Sequence, residues 1–402
     1  DCEVPRRENG ALSATGGLPP LNEFQPPARL RGIEKSVIRQ IFDRALPGSI
    51  NLGLGEPDLQ TPDVIRRAAS RVIAEEKNGY TSHGGLLQLR ELVAGDYPFL
   101  ENNPERVIIT AGSQEALYLA LLTLVDEGDE VLLPNPGFVA YPTIVQMAGG
   151  KPIFYRLPAR DGFAFDIEDF RRALTRRTKV VVCISPSNPT GRVLSNDDLS
   201  AIGKTLQQHG AYLISDEIYR DLYYTSERPD SASSFYDRTI AIGGLSKSMS
   251  MTGWRLGWMA GDQAVIRSSL VLHGYVTTCA STISQKASLV SWTDEAVQAR
   301  KDFRKTFASR RKHLLQTIES ELKLQAIAPE GAFYTMVDVR AFGLSMKVAE
   351  GLLAEGVTTV PGGAFGSESE GFLRVSFCAD LEVLTEGVRR MKRGLKLMSD
   401  KL

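Results

Sequence analysis

Short β-branched apolar runs alternate along this chain with segments of helical spacing. Residues 107–110, 130–133, 152–155, 179–184, 211–215, 239–242 and 257–260 read as strands. Residues 113–125, 167–174 and 195–208 place apolar side chains three and four apart and read as amphipathic helices between them. Strand and helix in alternation predict a mainly parallel seven-stranded sheet sandwiched by helices. After about residue 290 the pattern changes. A long charged helical stretch spans 294–322, then come shorter strands at 332–337, 357–360 and 372–377, and a closing helix. The fold class expected is α/β, with a smaller α+β domain built from the N-terminal arm and the C-terminal segment. The divisions expected are 1–50 for the arm and part of the small domain, 51–290 for the large domain and 291–402 for the small one. Residues 1 to about 30 are rich in Pro, Gly and charge without a period, and read as an arm.

Composition excludes more than it assigns. The 402 residues are 43% apolar and 24% charged, with a formal net charge of -1. No basic field points to nucleic acid or to an anionic membrane, and the longest apolar runs have strand length. The four cysteines form no CxxC pair, and no histidine spacing resembles HExxH, so no metal site is expected. Cys183 sits in an apolar strand and reads as core packing. With no apolar leader at the start, a reduced, cytoplasmic setting is expected.

Ligands of open α/β sheets gather at the carboxyl ends of strands. Four strand ends here carry unusual polar groups. Ala111-Gly112-Ser113-Gln114 opens a helix, where the backbone N–H groups form either a plain N-cap or a phosphate site. Asn188 lies in Ser185-Pro186-Ser187-Asn188-Pro189-Thr190-Gly191, as turn chemistry or as an amide aimed at a ring oxygen. Asp216 directly follows an apolar strand, as a cap or as the partner of a protonated ring nitrogen. Lys247 follows Gly243-Gly244-Leu245-Ser246, and Arg255 stands eight positions on. Alone, the lysine reads equally as a solvated side chain. Together the pair suits an amine that forms a Schiff base and a guanidinium that holds a phosphate. Four such groups on one sheet edge favour the functional reading.

With these residues in place, the chain resembles a fold-type I pyridoxal-phosphate (PLP) enzyme, an aminotransferase of class I and II of the aspartate aminotransferase family. Asn188-Pro189-Thr190-Gly191, Asp216-Glu217-Ile218-Tyr219, Ser246-Lys247 with Met251-Thr252-Gly253-Trp254-Arg255, and Phe372-Leu373-Arg374-Val375 carry the resemblance, over about residues 30–400. It implies that Lys247 forms the Schiff base and then moves the proton. Asp216 pairs with the pyridinium nitrogen, and Asn188 and Tyr219 hydrogen-bond the phenolic oxygen. Phe138 stacks on the ring, although a buried core Phe fits the same sequence. Gly112, Ser113, Gln114, Ser246 and Arg255 hold the phosphate, with Gly244 standing where some members place a serine. Arg374 clamps the substrate α-carboxylate beside Gly55 and Asn188. Tyr80 reaches the phosphate of a neighbouring subunit, so a homodimer with shared active sites is implied. Phe24, Tyr80, Phe138 and Tyr334 are expected to line an entrance. His83, beside Gly84-Gly85 just past Tyr80, is a candidate entrance residue, against the structural role a lone histidine more often has.

The activity implied is transfer of an amino group from an L-amino acid to a 2-oxo acid, with 2-oxoglutarate as acceptor, by a ping-pong cycle. Elimination, cyclisation or oxidation of an amino acid on the same scaffold remains the alternative. A PLP-binding regulator lacks room for a DNA-binding module before residue 30. A nicotinamide dehydrogenase lacks its glycine-rich fingerprint.

Overall fold

The computed structural model describes residues 26, 27 and 30–400. Most of the expected arm, including Phe24, lies outside the described residues.

The strands in chain order are β1 (Ile50–Asn51), β2 (Val107–Thr110), β3 (Glu130–Asn135), β4 (Lys151–Arg156), β5 (Thr178–Ile184), β6 (Tyr212–Asp216), β7 (Thr239–Gly244), β8 (Gly257–Ala260), β9 (Tyr334–Asp338), β10 (Val357–Thr358), β11 (Val360–Pro361) and β12 (Phe372–Ser376). Seven of them form the central sheet in the order β2-β8-β7-β6-β5-β3-β4. All seven expected strands are present. The pairs β3/β4, β3/β5, β5/β6 and β6/β7 are parallel, while β8 runs antiparallel to both β7 and β2. The inner strands are apolar on both faces because helices cover both. Val131, Leu132, Val180, Val181, Leu213, Ile214, Ile240 and Ala241 are all buried, and Cys183 packs among them as expected.

The helices between strands begin and end where local chemistry dictates. In the helix Asn196–His209, Ser195 and Asp198 form a reciprocal capping box. Gly210 closes that helix in the left-handed region. Asp166 caps Ile167–Ala173 through the N–H groups of Glu168 and Asp169.

The C-terminal third builds a second sheet, β11-β12-β9, wholly antiparallel. Its helices are Asp294–Thr317, Ser345–Ala354 and Leu381–Ser399. One expectation fails in detail. The apolar run 357–360 is not one strand. Val357–Thr358 pairs with β1, while Val360–Pro361 pairs with β12. The chain crosses between two sheets at Thr359, which is fully buried. The expected strand at 332 starts two residues late, because Ala332 is left-handed at φ 57° and its N–H is spent on the carbonyl of Leu222. The pairing of β1 with β10 ties the segment just after the arm to the C-terminal part of the chain.

Candidate active site

The sheet order brings the four polar strand ends together. β2, β7, β6 and β5 end on the same edge, delivering Ser113, Lys247, Asp216 and Asn188. β8 runs against its neighbours, so its start lies on that edge too, and Arg255 sits just before it. Gly257 makes this approach possible. A Cβ there would lie 2.6 Å from the backbone carbon of Gly112 and the backbone nitrogen of Ser113. The edge lines a cavity of about 260 Å³. Gly55, Ser113, Gln114, Phe138, Asn188, Asp216, Tyr219, Ser246, Lys247, Arg255 and Arg374 all face it, so most of the residues singled out in the sequence converge.

Lys247 reaches the cavity from the loop after β7. Its Nζ donates to the carbonyl of Gly55 at 2.6 Å. Desolvation pushes its pKa below the ordinary lysine range, and the guanidinium charges of Arg374 and Arg255 push the same way. A lysine with depressed pKa carries a usable lone pair.

Asp216 is buried at the end of β6. Tyr141 donates to its Oδ2 at 2.8 Å, and the N–H of Ile218 donates to Oδ1 at 3.2 Å. No cation pairs with it among the described residues. Burial therefore dominates and pushes its pKa from 3.8 up to about 6. Tyr141 was not evident from the sequence; its only signal was a spacing of three from Phe138, which lies just before the helix Ala140–Met147. The two rings meet edge to face at 5.5 Å.

The turn at Gly112 is stiff. Gly112 has φ 89°, and a Cβ there would stand 2.6 Å from Nη2 of Arg255. Arg255 is itself left-handed at φ 52°. Its Nη1 donates to the carbonyl of Thr252 at 2.9 Å and its Nη2 to that of Ala111 at 3.3 Å. Glu115, also missed in the sequence, braces the turn from behind. Its carboxylate accepts from the Ala111 N–H at 2.5 Å and from the Thr277 hydroxyl. Burial raises its pKa, but hydrogen bonds from His273, Thr277 and Ala111 outweigh that and hold it below the usual carboxylate range.

Arg374 projects from β12 and is 2% exposed. Nη1 donates to Oδ1 of Asn188 at 2.7 Å and Nη2 to the carbonyl of Gly53 at 2.5 Å. Its Nε is buried without a partner. The guanidinium lies over the rings of Tyr334 and Phe365, at 4.2 and 4.8 Å from their centroids.

Tyr334 does not line an entrance as expected. It is 1% exposed, at the base of the site, because it lies on the buried strand β9 that pairs with β12. Its hydroxyl lies 2.9 Å from that of Tyr219. The same hydroxyl stands 1.8 Å from where a Cβ on residue 55 would be, which is why residue 55 is glycine. Tyr80 is not brought to the cavity within one chain, and its ring is 88% exposed. His83 does not face the cavity either. Its carbonyl bonds Nδ1 of buried His273 and its ring packs on Gly274.

Among the described residues no group of His, Cys, Asp and Glu could hold a metal, and no helix is long and apolar enough to cross a membrane. The family of class I and II aminotransferases matches residues 47–391. A probable aspartate aminotransferase of Methanocaldococcus jannaschii is 34% identical over 91% of this chain and 98% of its own. An aromatic-amino-acid aminotransferase of Thermococcus litoralis is 34% identical over 92% and 97%. The solved aspartate aminotransferase of Thermus thermophilus with maleate superposes with a TM-score of 0.86 at 33% identity, over 92% of this chain and 100% of that one. The chain belongs to the class I and II aminotransferases, within the aspartate aminotransferase family, and transfers an amino group between an amino acid and a 2-oxo acid.

Proposed function

We propose that the transfer runs on pyridoxal 5'-phosphate held in the cavity at the sheet edge, with 2-oxoglutarate as the amino acceptor. The observation that carries this reading is Asp216, a buried carboxylate with no cation beside it, in one cavity with a lysine of depressed pKa. A protonated ring nitrogen is the partner such a carboxylate lacks. The turn at Gly112, Ser113 and Gln114, with Ser246 and Arg255, suits a phosphate. When bound, the cofactor supplies an aldehyde that exchanges amines and a ring that accepts the electron pair left by a departing α-proton.

The rest is done by the chain. Arg374 keeps Nη1 on Asn188 and offers its other N–H groups, including an Nε with no partner among the described residues, to the α-carboxylate. That would hold the α-carbon within reach of Lys247, whose Nζ would take the α-proton and hand it to the carbon of the cofactor's aldehyde group. Asn188 uses its oxygen on Arg374, leaving its NH₂ as a donor to the phenolic oxygen. Phe138 covers the ring plane. A water then releases the 2-oxo acid, and a second 2-oxo acid runs the steps in reverse.

The working unit in this reading is a cytoplasmic homodimer. Tyr80, Val271, Tyr275 and Val276 are large apolar side chains, each at least half exposed, on segments joined by the bond from the Thr282 hydroxyl to the Gly79 carbonyl and that from His273 to His83. A second chain covering them would carry Tyr80 to the neighbouring phosphate. Cys183, Cys279 and Cys378 are unpaired thiols, which suits a reducing compartment. The large domain is taken as 51–290, and the small one as 1–50 with 291–402, a grouping supported by the pairing of β1 with β10.

The test is absorbance of the PLP-loaded protein as each common amino acid is added without an oxo acid. Loss of the visible band with one equivalent of 2-oxo acid per site is the expected result. Consumption of the amino acid with release of an alkene, ammonia or peroxide overturns it.

A further inference from the structure

Tyr219 and Tyr334 form a closed pair. Their hydroxyl oxygens lie 2.9 Å apart, and among the described residues neither has another hydrogen-bond partner. A phenol carries one proton and can accept as well as donate. In such a pair one hydroxyl donates to the other, and the second proton is left to find an acceptor elsewhere.

The surroundings decide which. The Tyr334 oxygen is wedged at the base of the cavity against the backbone of residue 55, where even a methyl group would overlap it at 1.8 Å. The Arg374 guanidinium lies over its ring, 4.2 Å from the centroid, and Phe333 packs against the ring edge to face at 4.8 Å. Tyr334 is thus immobile, and a proton on it that missed Tyr219 would be a buried unsatisfied donor, costing about 1–3 kcal/mol. Tyr219 lines the same cavity as Tyr334, together with Asn188, Asp216 and Lys247, and among the described residues no such wedge against the backbone holds its hydroxyl. We infer that Tyr334 is a positioning residue that donates to Tyr219 and thereby fixes the Tyr219 proton toward the oxygen of a bound ligand.

This rests on the PLP reading above, in which the ligand oxygen is the phenolic oxygen of the cofactor. A hydrogen bond to the charged form of a group favours that form. A chain in which Tyr334 donates to Tyr219 and Tyr219 donates onward is stronger than the second link alone. Tyr334 therefore helps hold the cofactor's phenolic oxygen as an anion, and lowers the pH at which the bound cofactor takes up its proton.

The experiment is a pH titration of the visible absorbance of the PLP-loaded protein, for the parent, Tyr334→Phe, Tyr219→Phe and the double variant. Each change removes one hydroxyl and keeps the ring. In Tyr334→Phe the transition is expected to rise by roughly 0.5 pH unit. It should rise further in Tyr219→Phe, and Tyr334→Phe should add nothing in that background. An unmoved transition in Tyr334→Phe, or an equal shift that persists without the Tyr219 hydroxyl, overturns the inference. So does a higher KM for the amino donor with an unchanged titration, which would place Tyr334 on the substrate carboxylate. A parent protein with no visible band at all would instead remove the PLP reading, and this inference with it.

Discussion

Arg374 donates through Nη1 to Oδ1 of Asn188 at 2.7 Å, across 186 residues of sequence. The bond sets the orientation of both groups. It commits the amide oxygen to the guanidinium and leaves the NH₂ free, so in the proposed reading one contact prepares a carboxylate clamp and a ring-oxygen donor together. A lysine at 374 would supply charge without the fork and could not serve both partners. Arg374→Lys is expected to raise KM for the amino donor by about 10–100-fold. The visible absorbance of the bound cofactor should persist. Steady-state kinetics beside an absorbance spectrum check both, and an unchanged KM would remove Arg374 from the substrate.

Asp216 makes the cofactor-free protein less stable at neutral pH. Its carboxyl ionises near 3.8 when unfolded and at about 6 when folded. Below 3.8 both states hold the proton, and the group's contribution is fully present. As pH rises the unfolded chain ionises first, and that stability is lost by the time pH passes 6. A shift of about two units corresponds to roughly 3 kcal/mol. Without cofactor, Asp216→Asn should therefore be the more stable protein above pH 6, with the gap closing toward pH 4. Urea denaturation across that range decides it. A parent more stable than the variant at pH 7 would mean that the carboxylate already has a cationic partner.

Gly112→Ala tests the anion turn. The new Cβ enters at φ 89° and meets Nη2 of Arg255 at 2.6 Å. That backbone conformation, open essentially only to glycine, alone costs about 1–3 kcal/mol. Displacing the guanidinium should also weaken PLP binding by about tenfold or more, since a charge-assisted bond contributes about 1.5–3 kcal/mol. A thermal melt and a PLP titration separate the two. Lost stability with intact affinity would detach Arg255 from the phosphate.

Much of the fold was legible because the central strands are buried on both faces. Val180-Val181-Val182 and Ile240-Ala241-Ile242 have no polar face to blur the reading. The strand ends were legible for the opposite reason, since Asp216 and Lys247 interrupt apolar sequence at its carboxyl side. Tyr141 and Tyr334 were not legible in their roles. Each acts through a partner, Asp216 or Tyr219, that lies 75 or 115 residues away, and nothing local distinguishes such a tyrosine from a core aromatic. Glu115 was hidden because a glutamate in a first helical turn is ordinary by itself. The run at 357–360 was misread as one strand because residues that pair with two different sheets look alike in sequence.

Tyr80 is 88% exposed in one chain yet carries a phenol suited to a phosphate. If a second chain covers it, Tyr80→Phe should raise the PLP dissociation constant by about tenfold, the loss of one hydrogen bond to a charged group. Light scattering on the parent should give twice the chain mass. Unchanged affinity, or a monomer that binds PLP normally, would leave Tyr80 outside the site.

In the proposed reading the chemistry turns on Lys247, and its depressed pKa gives it a signature beyond loss of turnover. Lys247→Ala removes the only lysine facing the cavity among the described residues, but leaves the anion turn and Asp216 in place. PLP should still bind, without its visible band at neutral pH and removable by dialysis. Removing a proton-transfer group of this kind costs about 10²–10⁴-fold in rate, before the loss of the amine as nucleophile is counted. A small amine such as methylamine should restore the band, because the missing group is a primary amine on an unbranched carbon. It should restore a little turnover too, since the same amine can carry a proton. Lys247→Arg keeps the charge but not the titrating amine, and should restore neither. Transamination retained in Lys247→Ala, with no added amine, would sink the assignment.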